Sequence, residues 1–170
     1  MSAFVHTNDT YRSILPREDA HGKTWINAHA VASCTAHCPK AIQQGYDGTS
    51  RFGYNARALF DTGLASTTAA TRQNQYYVGV VGNDTIASDS WGWFQIGGDC
   101  PTVYADPVTP GVETGTIGGF MVWIKDKIQN AGDGVSNSMA CNAVGICTKS
   151  ASASSYLGMY LLGRRLMGNT

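Results

Sequence analysis

The chain has 170 residues, a length suited to one domain with some to spare, and its twelve Lys+Arg balance twelve Asp+Glu. Zero net charge argues against a protein that coats nucleic acid, which needs a basic excess to displace counterions from phosphate. Charged residues make up only 14% of the chain, against roughly 25% in an ordinary soluble domain, so much of the surface is expected to be covered by partners.

Glycine divides the sequence unevenly: residues 1–75 hold five of the twenty glycines and the remainder holds fifteen. All four histidines (His6, His21, His29, His37) lie before residue 40. These shifts suggest an N-terminal arm or small subdomain over residues 1–50, followed by a glycine-punctuated β domain over residues 51–170. Within the arm, residues 24–44 are rich in Ala and Gln and are compatible with a helix that ends at Cys38-Pro39 or Gly45. Trp25, in polar surroundings, is a candidate anchor for a partner's pocket. The opening Met1-Ser2-Ala3-Phe4-Val5-His6 has neither a basic n-region nor an apolar h-region, so no signal peptide is expected.

Beyond the arm, Arg51–Phe60 is a possible strand. Tyr76-Tyr77-Val78-Gly79-Val80-Val81 is rich in aromatic and β-branched residues and stops at the turn signal Gly82-Asn83-Asp84. Trp91-Gly92-Trp93-Phe94-Gln95-Ile96 resumes the pattern up to Gly97-Gly98-Asp99. Trp91, Trp93 and Gln95 would share one face of that strand and Phe94 and Ile96 the other, as expected of a central strand between two layers, with the tryptophans read as core. Pro101, Pro107 and Pro110 should break the next stretch into short extended pieces. Residues 117–128 match a helical period through Ile117, Phe120, Met121, Ile124 and Ile128, but Gly118-Gly119 favour a strand over Phe120–Ile124. Ala143–Thr148 and Leu157–Leu162 complete the set. The fold class expected is all-β, a compact sandwich or barrel with an extended N-terminal arm.

Chemistry-bearing patterns fall short of function. Gly22-Lys23-Thr24 resembles the end of a phosphate-binding loop, yet Arg17 stands where the motif needs glycine. Gly48-Thr49-Ser50 and Gly134-Val135-Ser136 lack the closing glycine of a nucleophile elbow. The two glutamates, Glu18 and Glu113, lie far apart in the sequence. Cys34-Thr35-Ala36-His37-Cys38 is the one cluster with metal-ligand character, with His29 nearby, but structural zinc sites join two separate ligand pairs. Cys100, Cys141 and Cys147 read as small buried thiols, and the odd count of five suits reduced cysteines. The chain is therefore expected to have no catalytic residues, metal or cofactor, to bind neither nucleic acid nor membrane, and to be no enzyme.

One resemblance rises above these patterns. Gln75–Val81, a short polar loop, then Trp91-Gly92-Trp93-Phe94-Gln95-Ile96-Gly97-Gly98 resembles a motif in capsid decoration (cement) proteins of tailed bacteriophages. Ala105-Asp106-Pro107-Val108-Thr109 stands where they carry a Gly-Asp-Pro-Val-Tyr style segment, and Arg51–Phe60 is similar to their opening strand. The similarity covers residues 50–170 in patches; Gly111–Asn142 and the arm depart from it. It implies a β module in the virion, assembled in the host cytoplasm and clipped to the outer capsid surface. Its partners would be the major capsid protein and further copies of itself, as a trimer. A phage tail or receptor-binding β module shares the composition, and a small hydrolase is the enzyme alternative.

Overall fold

The computed structural model describes residues 15–44, 54–57, 75–105, 115–124, 127–130, 143–151, 156–164 and 166–167. They form eleven strands: β1 (Arg17–Glu18), β2 (Thr24–Ala30), β3 (Pro39–Gln44), β4 (Tyr54–Arg57), β5 (Gln75–Val81), β6 (Ser90–Tyr104), β7 (Phe120–Ile124), β8 (Lys127–Asn130), β9 (Ala143–Lys149), β10 (Tyr156–Leu162) and β11 (Leu166–Met167). The protein is all-β, and no helix occurs among the described residues. The strands join in the order β1-β2-β4-β3-β5-β6-β10-β9-β7-β8, with β11 on β5. Pairings are antiparallel except β2 with β4, which is parallel. β2 also pairs with β6 over Thr24–Ala30, which folds the first half of the sheet back on itself, while β10, β9, β7 and β8 run on as an open extension.

Alternation of side chains places two cores. On β3, Ala41 and Ile42 face opposite ways; on β5, Val78 and Val80 point away from Tyr77 and Val81. Ile26, Ile42, Tyr54, Tyr77, Phe94 and Ile96 fill one core. Val80, Val103, Met121, Leu157, Met159 and Leu161 fill the other. Burying each aliphatic side chain on β10 is worth about 1.5–3 kcal/mol.

β6 serves both cores, and a bend makes that possible. Gly98 has φ +83, and a Cβ there would lie 2.7 Å from the Gly22 carbonyl oxygen. Glycine alone tolerates both the left-handed backbone and that approach. Buried Gln95 braces the bend, its Nε2 donating to the carbonyls of Gly97 (3.1 Å) and Asp99 (2.9 Å). Pro101, expected to end the strand, sits inside it. Cys100 pairs with Met159 and Val103 with Leu157, so β6 carries one residue more than β10 across this step. At such a bulge a proline forfeits no ladder hydrogen bond.

Other expectations need correction. Residues 17–44 supply β1, β2 and β3, so this part of the expected 1–50 arm belongs to the same sheet as the 51–170 region. The helix suggested over residues 24–44 is two strands. Asn27 and His29 look like a break in a buried strand, but Asn27 Nδ2 donates to the Gly92 carbonyl (3.3 Å) and His29 pairs with Asp89. Residues 1–14 and 45–53 lie outside the described residues. The segment with rival helix and strand readings is strand at Phe120–Ile124 and Lys127–Asn130.

Candidate interaction surface

The Cys34/His37/Cys38 cluster is given over to holding loops. The β2–β3 loop meets the β5–β6 loop through reciprocal backbone bonds between Cys34 and Ile86, both 2.9 Å. The Cys34 thiol donates to the Ala32 carbonyl at 3.2 Å. His37 adopts φ 61; its N–H donates toward Val81 and Gly82, its carbonyl accepts from Tyr104, and its ring stands edge-on to Tyr156 at 6.3 Å. Burial pushes the Cys34 and Cys38 thiols above their ordinary value, with Lys40 pulling the other way. Burial likewise raises Cys147, and lifts Cys100 to about 11. A nucleophilic cysteine needs the opposite shift. Among the described residues, no group of three His, Cys, Asp or Glu side chains could hold a metal ion. Cys141, Glu113, Gly48–Ser50 and Gly134–Ser136 lie outside the described residues.

The phosphate-loop look-alike is a hairpin turn. Asp19 Oδ1 accepts from the N–H groups of His21 (2.8 Å) and Lys23 (3.0 Å), and Oδ2 accepts from Trp25 Nε1 (2.9 Å). The carboxylate thus occupies donors that a phosphate would need. Desolvation works to raise the Asp19 pKa, but these hydrogen bonds together hold it below the ordinary carboxylate value. Trp25, expected as a free anchor, is half-buried and tied to Asp19.

The tryptophans of β6 were expected in the core, but Trp91 and Trp93 are only half-buried while Phe94 is fully enclosed. Arg17 lies over the Trp93 ring, its guanidinium carbon 5.7 Å from the centroid. Trp91 packs beside His29, ring centroids 5.5 Å apart. Sequence reasoning missed the His29–Asp89 pair, whose Nε2–Oδ1 distance is 2.8 Å. It closes the β5–β6 loop onto β2, helped by the Asp89 N–H donating to the Ala30 carbonyl (2.8 Å).

The strongest surface feature is a face whose members are remote in sequence. Tyr160 on β10 pairs with Ile146 on β9, and Ile146 with Phe120 on β7. On β10, Leu157, Met159 and Leu161 point into the core, leaving Tyr156 and Tyr160 on the outer side, 46% and 49% exposed. Phe120 is 55% exposed, and Ile117, in the turn leading into β7, is 66% exposed. Tyr156 meets Tyr104 edge-on at 5.6 Å. Exposed Asp99 lies opposite Tyr160, and exposed Lys149 opposite Gly158. The sequence signal was aromatic residues alternating with aliphatic ones along Tyr156–Leu162, a strand apolar on both sides. A face of this kind is suited to contact with another protein surface.

No protein-family model matches the chain, and no curated protein matches it. Among solved structures it is similar to the head fiber gp8.5 N base of bacteriophage phi29, with 13% identity and a TM-score of 0.47, over 85% of this chain and 98% of that one.

Proposed function

We propose that this chain is a structural protein of a tailed-bacteriophage virion, a decoration or cement protein that binds the outside of the head and stabilises the shell. The observation that carries the reading is where the resembling segments fall. Tyr54–Arg57, Gln75–Val81 and Trp91–Gly98 lie on β4, β5 and β6, which with β3 form one continuous run of the sheet. The likeness in sequence therefore falls on β5 and β6, which pair directly through Val80 with Gln95 and Val81 with Phe94, and on β4, which reaches them across β3.

The physical chemistry supports the same reading. A protein that works by covering a shell needs broad, nearly neutral contact surface, and this chain has zero net charge and 14% charged residues. Its thiols, raised in pKa by burial, suit a packing role. Its partners in this reading are the major capsid protein and other copies of itself, as a trimer.

The test is co-sedimentation of the purified full chain with DNA-filled heads and, separately, with tails from the virus that encodes it. Saturable binding to heads, with a rise in the temperature at which they release DNA, is expected. Binding to tails alone would replace the proposal with a tail or receptor-binding role, and binding to neither would end it.

A further inference from the structure

We infer that copies of this chain meet through the outer face of β6, β10, β9 and β7, Asp99 of one copy against Lys149 of the next. The inference rests on the self-association in the proposed function and assigns it a surface.

Register places the parts. Across neighbouring strands about 4.8 Å apart, Asp99, Tyr160, Ile146 and Phe120 form one row, because each is the pairing partner of the next. Lys149 stands opposite Gly158, one outward position along β10 from Tyr160. A Cβ on Gly158 would lie 3.0 Å from the Lys149 Cβ, so the lysine side chain leaves from this same face. Asp99 and Lys149 are two strands and two residues apart, about 12 Å by strand geometry. Asp99 thus ends the apolar row at β6, and Lys149 stands beside its middle, on the same strand as Ile146.

That arrangement favours a second copy over an unrelated partner. A surface with an acid at one end of an apolar row and a base beside its middle offers each copy of itself the opposite charge, and closed symmetry satisfies every copy's acid and base at once. The area is adequate for the centre of such a contact. Three aromatic side chains of roughly 150–250 Å² each, about half exposed, leave about 300 Å² of ring surface. A standard interface needs about 800 Å² per partner, with an apolar centre and a polar rim. The remainder would come from the polar surroundings of the strip.

The experiment is light scattering on the full chain at micromolar concentration, with circular dichroism and thermal melts checking that each variant is folded. The wild type is expected at three times the mass of one chain. Asp99→Lys and Lys149→Asp alone, and Tyr160→Ser, should each fall to one chain mass, and the double variant Asp99→Lys/Lys149→Asp, which returns one acid and one base to every copy, should recover the higher mass. A monomeric wild type, single charge variants that keep the wild-type mass, or a double variant that fails to recover it would overturn the inference. Head co-sedimentation run in parallel separates the two readings. A self-associating wild type that ignores heads refutes decoration and leaves this face standing. A monomer that binds heads and loses them on Tyr160→Ser assigns the face to the shell and refutes self-association through it.

Discussion

Replacing Phe94 and Trp93 in turn tests the two faces of β6 against each other. Phe94 is 0% exposed and packs with Ile26, Ile42 and Ile96. Truncation to Ala removes a full ring from a closed core and leaves a cavity, a change that costs about 3–5 kcal/mol. Trp93, its immediate neighbour, is half-buried, and its specific contact is the Arg17 guanidinium over the ring. An exposed contact of that kind is worth about 0.5–1 kcal/mol. Although tryptophan is the larger residue, Trp93→Ala should cost less than half as much as Phe94→Ala. Urea unfolding of both variants, followed by circular dichroism at unchanged slope, reads the difference as a shift in midpoint. At a sensitivity of about 2–4 °C per kcal/mol, Phe94→Ala should also lower Tm by roughly 6–20 °C. A Trp93→Ala loss equal to or larger than that of Phe94→Ala would show that the assignment of faces is wrong.

Gly98→Ala should destabilise by at least about 1–3 kcal/mol in the same assay, because φ is +83 and the Gly22 carbonyl oxygen lies 2.7 Å from the new methyl; a neutral result would refute the bend. Asp19 has a folded pKa below its ordinary value, so its stabilisation is present above the unfolded carboxylate pKa and is lost as pH falls through the lower folded one. Asp19→Asn should therefore lower Tm at neutral pH, and the gap to wild type should narrow on acidification below the ordinary carboxylate range. Deleting residues 1–45 removes β1, β2 and β3, so the remainder should show no cooperative thermal unfolding; a sharp transition would restore the arm as a separable segment.

The strands that sequence made legible are those whose pattern is self-contained. β5 declares itself through Tyr, Val and Gly before a turn, and β7, β9 and β10 through short, largely apolar runs. β2 was illegible because its polar members are satisfied from far along the chain. His29 pairs with Asp89, 60 residues away, and Asn27 with the Gly92 carbonyl, 65 residues away. The continuation of β6 past Gly97-Gly98 was hidden for a related reason. A glycine pair and a proline ordinarily end a strand, and here a bend braced by Gln95 and a bulge opposite β10 absorb them. Only the β10 part of the candidate surface left a signal in the sequence, the aromatic and aliphatic alternation along Tyr156–Leu162. Phe120, Ile146 and Tyr160 become neighbours only through the β7–β9–β10 register, which no local pattern encodes.

A place on the outside of a phage head is the central claim for this protein, and locating the chain in the virion tests it most directly. Cryo-electron microscopy of particles purified from the encoding virus, compared with particles from a deletion of its gene, is the measurement. Difference density on the outer capsid surface, of a size and shape that accommodate this β fold, is the expected result. Difference density confined to the tail, or particles identical with and without the gene, would contradict it.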